Sequence, residues 1–241
     1  LKKEKINNKT LLFSAASQNS IITLSKIAKR FKIEFTSEKK LKICLDKNKL
    51  TNSFNRFNIN TPKSKKIYKK DQYLKILINL NINKNYYLKS DFSKNPKHVY
   101  KINKKSNKKL KINWNKDEFL VKNYLLQEEF IGKNLRLNFY GNRYNIYDFV
   151  SHKKINAYKY ILKKFNLIKK LKKYIKFYDL TRFIVKFDII ISTASYVVLD
   201  IGLDPPYRMN KYCLKNKINF PKHYLNHNLR NILTYPISLD K

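Results

Sequence analysis

Phe183-Ile-Val-Lys-Phe-Asp-Ile-Ile-Ile191 and, after Ser192-Thr-Ala-Ser195, Tyr196-Val-Val-Leu-Asp-Ile201 decide how this chain is read. Both stretches are dense in β-branched and aromatic residues, the side chains that fit a pleated, half-buried surface, and they predict two strands. The span from Phe183 to Ile201 is also the longest apolar stretch, but Lys186, Asp188, Ser192, Thr193, Ser195 and Asp200 interrupt it. It falls short of the ~18 apolar residues that a transmembrane helix needs, so no membrane span is expected. Pro205-Pro206 then stops regular structure, because proline offers no backbone donor.

Working outward, Ile161, Phe165, Ile168, Leu171, Ile175 and Tyr178 recur three and four residues apart and predict an amphipathic helix over 157–178. Its other face carries Lys163, Lys169, Lys170, Lys173 and Lys176. Asp117 is placed to cap a second helix running to Phe130, and Ser20 to cap a third that buries Ile21, Leu24, Ala28 and Phe31. Leu41 to Leu45 alternates like a short strand. Residues 46–72 read as a loop or extended arm, and Tyr73 to Ile82 is an apolar run of either type. The lysine-rich stretch from Asn83 to Lys116 is the least globular, ordering only against a polyanion. The fold class is α+β, divided into a basic N-terminal region (1–82), a lysine-rich arm or linker (83–116) and a C-terminal helical and α/β region (117–241).

Composition narrows the function classes. The chain has 54 Lys+Arg against 16 Asp+Glu, a formal net charge of +38, and only three glycines in 241 residues. A surplus that large calls for a polyanionic partner. With only Gly132, Gly141 and Gly202, a glycine-rich nucleotide loop is excluded. Lys, Asn, Ile, Tyr and Phe dominate, a set drawn from A/T-rich codons, which points to an organellar gene and a mitochondrial location. Arginine is scarce, so Arg30, Arg56, Arg136, Arg143, Arg182, Arg208 and Arg230 stand out as candidates for phosphate and base contact. Tyr86, Tyr87, Tyr100 and Trp114 could stack on bases or anchor an arm on protein. Cys44 and Cys213 define no disulfide framework.

Two constellations could carry chemistry. Asp188, Asp200 and Asp204 are near enough in sequence to bind Mg²⁺ for phosphodiester cleavage, as in a maturase-like nuclease, or to pair with neighbouring lysines as strand-edge residues. The pairing reading is favoured, because no glutamate or histidine supports them. His223 and His227, four residues apart with Cys213 upstream, form an incomplete zinc set beside Pro221. No catalytic residue, metal or cofactor is expected.

Lys133-Asn-Leu-Arg-Leu-Asn-Phe-Tyr-Gly-Asn142 resembles the segment that precedes the RNA-binding domain in small-subunit ribosomal protein four, especially its organellar forms. Arg182 to Ile191 resembles the entry to that domain, and Asn210 to Asn219 its helix and turn; Phe149-Val-Ser-His-Lys-Lys-Ile155 offers a rival register. The resemblance implies a helical region plus a small α/β RNA-binding domain with long basic extensions. It further implies a non-enzymatic constituent of the mitochondrial small ribosomal subunit, with rRNA and neighbouring ribosomal proteins as partners and no small-molecule substrate. The motif positions are Arg136, Tyr140, Lys186, Asp188, Lys211 and Asn216. Together with the basic surface, the expected RNA-binding set is Lys133, Arg136, Arg143, His152, Lys153, Lys154, Lys163, Lys169, Lys170, Lys173, Arg182, Arg208, Lys211 and Asn216. The alternatives are the maturase-like nuclease and a basic accessory subunit of an organellar membrane complex.

Overall fold

The computed structural model describes residues 18–67, 79, 81, 83–90, 99–102, 124–140, 143–151 and 154–203. In chain order the elements are α1 (Gln18–Arg30), α2 (Glu38–Leu45), α3 (Lys47–Asn55), β1 (Ser64–Ile67), β2 (Tyr86–Ser90), β3 (Val99–Ile102), β4 (Tyr124–Glu128), β5 (Lys133–Tyr140), β6 (Arg143–Asp148), α4 (Lys159–Lys164), α5 (Leu167–Phe177), β7 (Ile184–Ile191) and β8 (Tyr196–Gly202). The chain is α+β. Its strands form two four-stranded antiparallel sheets, ordered β1-β4-β2-β3 and β6-β5-β7-β8.

The two strands read first are present, and their alternation explains the second sheet. Along β7, Val185, Phe187, Ile189 and Ile191 are buried on one face, while Lys186 and Asp188 stand half-buried on the other. Leu135, Leu137 and Phe139 of β5 continue the apolar face, opposite Arg136. The helices cover this face: Ile21, Leu41, Cys44 and Phe54 from α1–α3 join Leu162, Leu171 and Tyr174 from α4–α5 in one core. Phe54 touches the rings of Tyr174 (4.8 Å) and Phe187 (6.1 Å), and Phe187 meets Phe139 edge-on at 5.6 Å. Burying a side chain of this size contributes about 1.5–3 kcal/mol, which makes this layer the main source of stability. Within it the Tyr174 hydroxyl is 3.0 Å from Ser53 Oγ and donates to Cys44 Sγ at 3.3 Å. Burial pushes the Cys44 thiol up to about 12, leaving it an inert core residue.

Several local expectations are corrected. Leu41–Leu45 is helical: Ser37 accepts a bond from Lys40 N at 3.4 Å as N-cap, Lys42 pairs with Glu38 at 2.6 Å, and Leu41 and Cys44 bury one helical face. The expected loop at 46–72 contains α3 and β1. Asp46 ends α2 and accepts from Lys49 N at 3.3 Å to start α3. In the supposed arm at 83–116, β2 and β3 pair with one another. The helix predicted to reach Phe130 ends instead in the strand β4, a central strand whose Tyr124 to Gln127 are all buried. Burial on both faces erases the alternation that marks a strand, and a short apolar run then looks helical. The 157–178 helix is two helices, parted at Asn166, which takes the left-handed conformation (φ 53°) that asparagine tolerates.

Glu129 to Gly132 connects β4 of the first sheet to β5 of the second. The close packing of Gly132 is what requires glycine there. A β-carbon on it would fall 2.5 Å from the Ile191 carbonyl oxygen and 2.9 Å from its carbon, both backbone atoms of a central strand. Gly132→Ala is expected to cost about 1–3 kcal/mol through this overpacking, seen as a lowered urea midpoint. A midpoint equal to wild type would show that the linker shifts freely.

Candidate functional site between the two sheets

The polar face of the second sheet is partly screened from solvent. It looks across at β2, β3 and β4, and the space between is a cleft of about 490 Å³. Its floor is a row of side chains in strand register. Arg136 on β5 lies opposite Asp188 on β7, and Asp188 lies opposite Asp200 on β8. Arg136 grips Asp188 with two bonds, Nε to Oδ1 at 2.6 Å and Nη2 to Oδ2 at 2.9 Å. This parallel fork fixes both groups. The Phe149 ring covers the guanidinium at 4.8 Å.

Phe149 is held there by the turn after β6. Asp148 accepts from Val150 N (3.0 Å) and Ser151 N (2.7 Å) and pairs with Lys133. Lys133 first, then the Ser151 amide, hold its carboxyl well below the usual carboxylate range. A depressed acid lends stability above its unfolded pKa of about 3.9 and loses it as pH falls through the folded value. Asp148→Asn should therefore leave the protein less stable than wild type at neutral pH, with the difference closing in acid; thermal melts across pH test this. A gap constant in pH would remove Asp148 from the account.

Asp200 has a different environment. Burial pushes its carboxyl up, the neighbouring Asp188 charge adds to this, and Lys47 and a bond from Ile201 N (2.9 Å) oppose it. The opposite wall contributes Lys89 of β2, whose Nζ donates to Gln127 Oε1 of β4 at 2.7 Å. Burial holds the Lys89 ammonium below the usual lysine range, with Lys47 adding to the effect and Asp200 and Asp188 opposing it. Lys47 and Lys186 complete the charged lining, and Leu50, Phe54, Leu125, Ile189 and Val198 supply apolar walls. The cleft is a basic pocket with two adjacent carboxylates at its base. Such an arrangement suits a multiply charged anion brought in with a hard divalent cation. Among the described residues no group of three or more His, Cys, Asp or Glu gathers to cage a metal alone.

The expected RNA-binding residues are scattered. Arg136 lies in the cleft; Lys133 and Lys154 flank the turn beside it, Lys154 bridging to Tyr147. Arg143 is exposed at the start of β6. Arg182 binds Glu34 through its carbonyl (2.6 Å) and carboxylate (3.1 Å). Lys170 donates to the Tyr196 hydroxyl at 3.3 Å, while Lys163, Lys169 and Lys173 come together on the outer α4–α5 surface. His152, Lys153, Arg208, Lys211 and Asn216 lie outside the described residues, as do Asp204, Cys213, His223 and His227. Sequence reasoning missed Lys47, Lys89 and Gln127 altogether. Among the described residues no helix is long and apolar enough to cross a membrane.

No protein-family model matches the sequence, and no curated protein matches it significantly. Solved structures do match. The D-alanine–D-alanine ligase from Helicobacter pylori is 14% identical over 88% of this chain and 67% of its own, with a TM-score of 0.64. The D-alanine–D-alanine ligase from Bacillus anthracis complexed with ATP is 15% identical over 88% of this chain and 73% of its own, at 0.59. A RimK domain ATP-grasp protein from Sphaerobacter thermophilus is 10% identical over 89% and 77%, at 0.61. At these identities the likeness is one of fold. It overturns the ribosomal resemblance: Lys133 to Tyr140 form the central strand β5, and Arg182 to Ile191 leads into its partner β7, in a fold like that of the ATP-grasp structures, which differs from an RNA-binding domain. Short basic–apolar runs recur in any lysine-rich strand, and that is all the resemblance had matched. With it fall the expectations of a non-enzymatic ribosomal constituent, of rRNA as partner and of no small-molecule substrate, since the neighbours are ligases and one is complexed with ATP. The maturase and membrane-complex alternatives lose their support in the same way. The chain has the fold of the ATP-grasp ligases.

Proposed function

We propose that this protein is an ATP-dependent ligase that holds Mg²⁺–ATP in the cleft between its two sheets and joins a carboxylate to an amine. One observation carries the reading: Asp188 and Asp200 sit opposite one another on adjacent strands, facing a space lined by Lys47, Lys89 and Lys186. The donor set fits magnesium, which takes one or two carboxylates and completes its shell with phosphate oxygens and water. Asp188 and Asp200 would hold the cation, which would supply charge neutralisation for the nucleotide's phosphates.

The chain's own residues divide the work. Lys89, poorly solvated and anchored by Gln127, presents its ammonium to phosphate; Lys47 brings a second charge from the start of α3. Arg136 keeps Asp188 in one orientation and leaves Asp200 as the carboxylate without a guanidinium partner across the strands. The apolar walls displace part of the water around these charges, which strengthens their attraction for phosphate. Amide formation from a free carboxylate is unfavourable in water and proceeds when coupled to phosphoanhydride cleavage, which is the role ATP fills here. The D-alanine–D-alanine ligases of the same fold suggest amino acids as substrates.

The test is incubation of the full chain with Mg²⁺, ATP and pooled D- and L-amino acids, following phosphate release and dipeptide mass. Phosphate and dipeptide should appear in equal amounts and only with magnesium. ATP hydrolysis unaffected by any amino acid, or no turnover at all, would contradict ligation.

A further inference from the structure

The side of the second sheet away from the cleft carries a feature that nucleotide chemistry does not use. Between α4 and α5 lies a groove of about 870 Å³. Half-buried Tyr144 and Ile168 form its floor above Leu162 and Ile175. Lys159 and Lys163 stand on the α4 side, and Lys169, Lys172, Lys173 and Lys176 on the α5 side, all exposed. Among the described residues no ion pair holds any of the six, whereas Lys42, Lys49, Lys84, Lys101 and Lys133 each have a carboxylate. No acidic residue occurs in the sequence between Asp148 and Asp179. With 16 acidic residues dispersed among 54 basic ones, the chain has no acidic segment of its own to neutralise this face.

We propose that this groove docks an acidic, amphipathic segment of another polypeptide, laying apolar side chains on the Tyr144–Ile168 floor and carboxylates against the lysine rims. Cationic rims on both sides of an apolar trough match a helix with one apolar stripe flanked by acids. A nucleic-acid backbone would engage the rims and leave the floor unused. A bilayer surface is flat and would touch the rim tips alone. The interaction is independent of the ligase reading, because the groove and the cleft lie on opposite faces of the sheet.

The experiment measures fluorescence anisotropy of the full chain with a labelled peptide of about 14 residues. The peptide is built from Glu and Leu with the leucines on one helical face. A scrambled peptide of equal composition, a single-stranded oligonucleotide and phosphatidylserine vesicles serve as comparisons, at about 0.15 M salt to suppress unspecific attraction. The amphipathic peptide should bind about tenfold or more tightly than the scrambled one. Lys163→Glu with Lys169→Glu and Lys173→Glu should erase that preference. Lys29→Glu with Lys65→Glu and Lys66→Glu, the same change of charge on other exposed lysines, should keep it. Equal binding of the two peptides overturns the proposal, as does oligonucleotide or vesicle binding that is tighter than the peptide's and lost with the α4–α5 reversal.

Discussion

Asp188→Asn and Asp200→Asn should each weaken magnesium-dependent nucleotide binding by about 100-fold or more, while moving thermal stability in opposite directions. The shared loss follows from the donor set. Each variant replaces one of two adjacent carboxylates by an amide that carries no charge for the cation. The opposite stabilities follow from what each carboxylate touches. Asp188 is the bidentate partner of Arg136, and both side chains are about three-quarters buried (24% and 23% exposed). Removing its charge strands the guanidinium, so Asp188→Asn should lower stability by about 1–3 kcal/mol. Asp200 is half-buried, and desolvation together with the neighbouring Asp188 charge pushes its carboxyl up. An acid with a raised folded pKa costs stability once pH is above that value, and the cost disappears as pH falls below the unfolded value. Asp200→Asn should therefore raise the melting temperature at neutral pH, by ~2–4 °C for each kcal/mol relieved. A fall in melting temperature for Asp200→Asn would mean that Lys47 and Lys89 already compensate the charge.

Lys89→Met is expected to reduce nucleotide affinity by about 10- to 100-fold with little change in fold. Lys89 donates to Gln127 and feels both aspartates, yet burial holds its ammonium below the usual range, the signature of a cation kept in place against its solvation preference. Methionine keeps the length and apolar stem and removes the charge, so the loss of a phosphate contact is isolated. Lys65→Met, on an exposed β1 position, is the control for general charge. Equal losses for the two variants would reduce the role of Lys89 to bulk electrostatics.

How much of this could be read from sequence differs from residue to residue. The strands at 184–191 and 196–202 were legible because β-branched residues crowd them, and the aspartates within them stood out as intrusions. With Asp204, which lies outside the described residues, the sequence offers them either as magnesium ligands for phosphodiester cleavage or, favoured, as strand-edge partners of lysines; Asp188 does have a cationic partner, but it is Arg136. Nothing local reveals Lys89 or Lys47. One falls in a tract that reads as an arm and the other in a tract that reads as a loop, and only the tertiary packing of β2 and α3 around β8 brings them to Asp200. Gln127 was hidden in a strand buried on both faces. The scarcity of glycine misled for a physical reason. It excludes a glycine-rich backbone cradle for phosphate, but the proposed site would meet phosphate with lysine side chains and needs no such cradle. The charge of +38 likewise pointed to a polyanion without saying which, and a nucleoside triphosphate with its cation is also an anion.

The central claim is that the paired carboxylates and Lys89 form a magnesium–nucleotide site. The measurement that tests it most directly is an equilibrium titration of the full chain with a non-hydrolysable ATP analogue, at about 0.15 M salt, in magnesium and in EDTA. The account predicts one saturable site in magnesium, lost in EDTA and lost again in Asp188→Asn with Asp200→Asn. Binding that persists in EDTA and survives the double substitution would be attraction of polyphosphate to a basic surface, and would contradict the site.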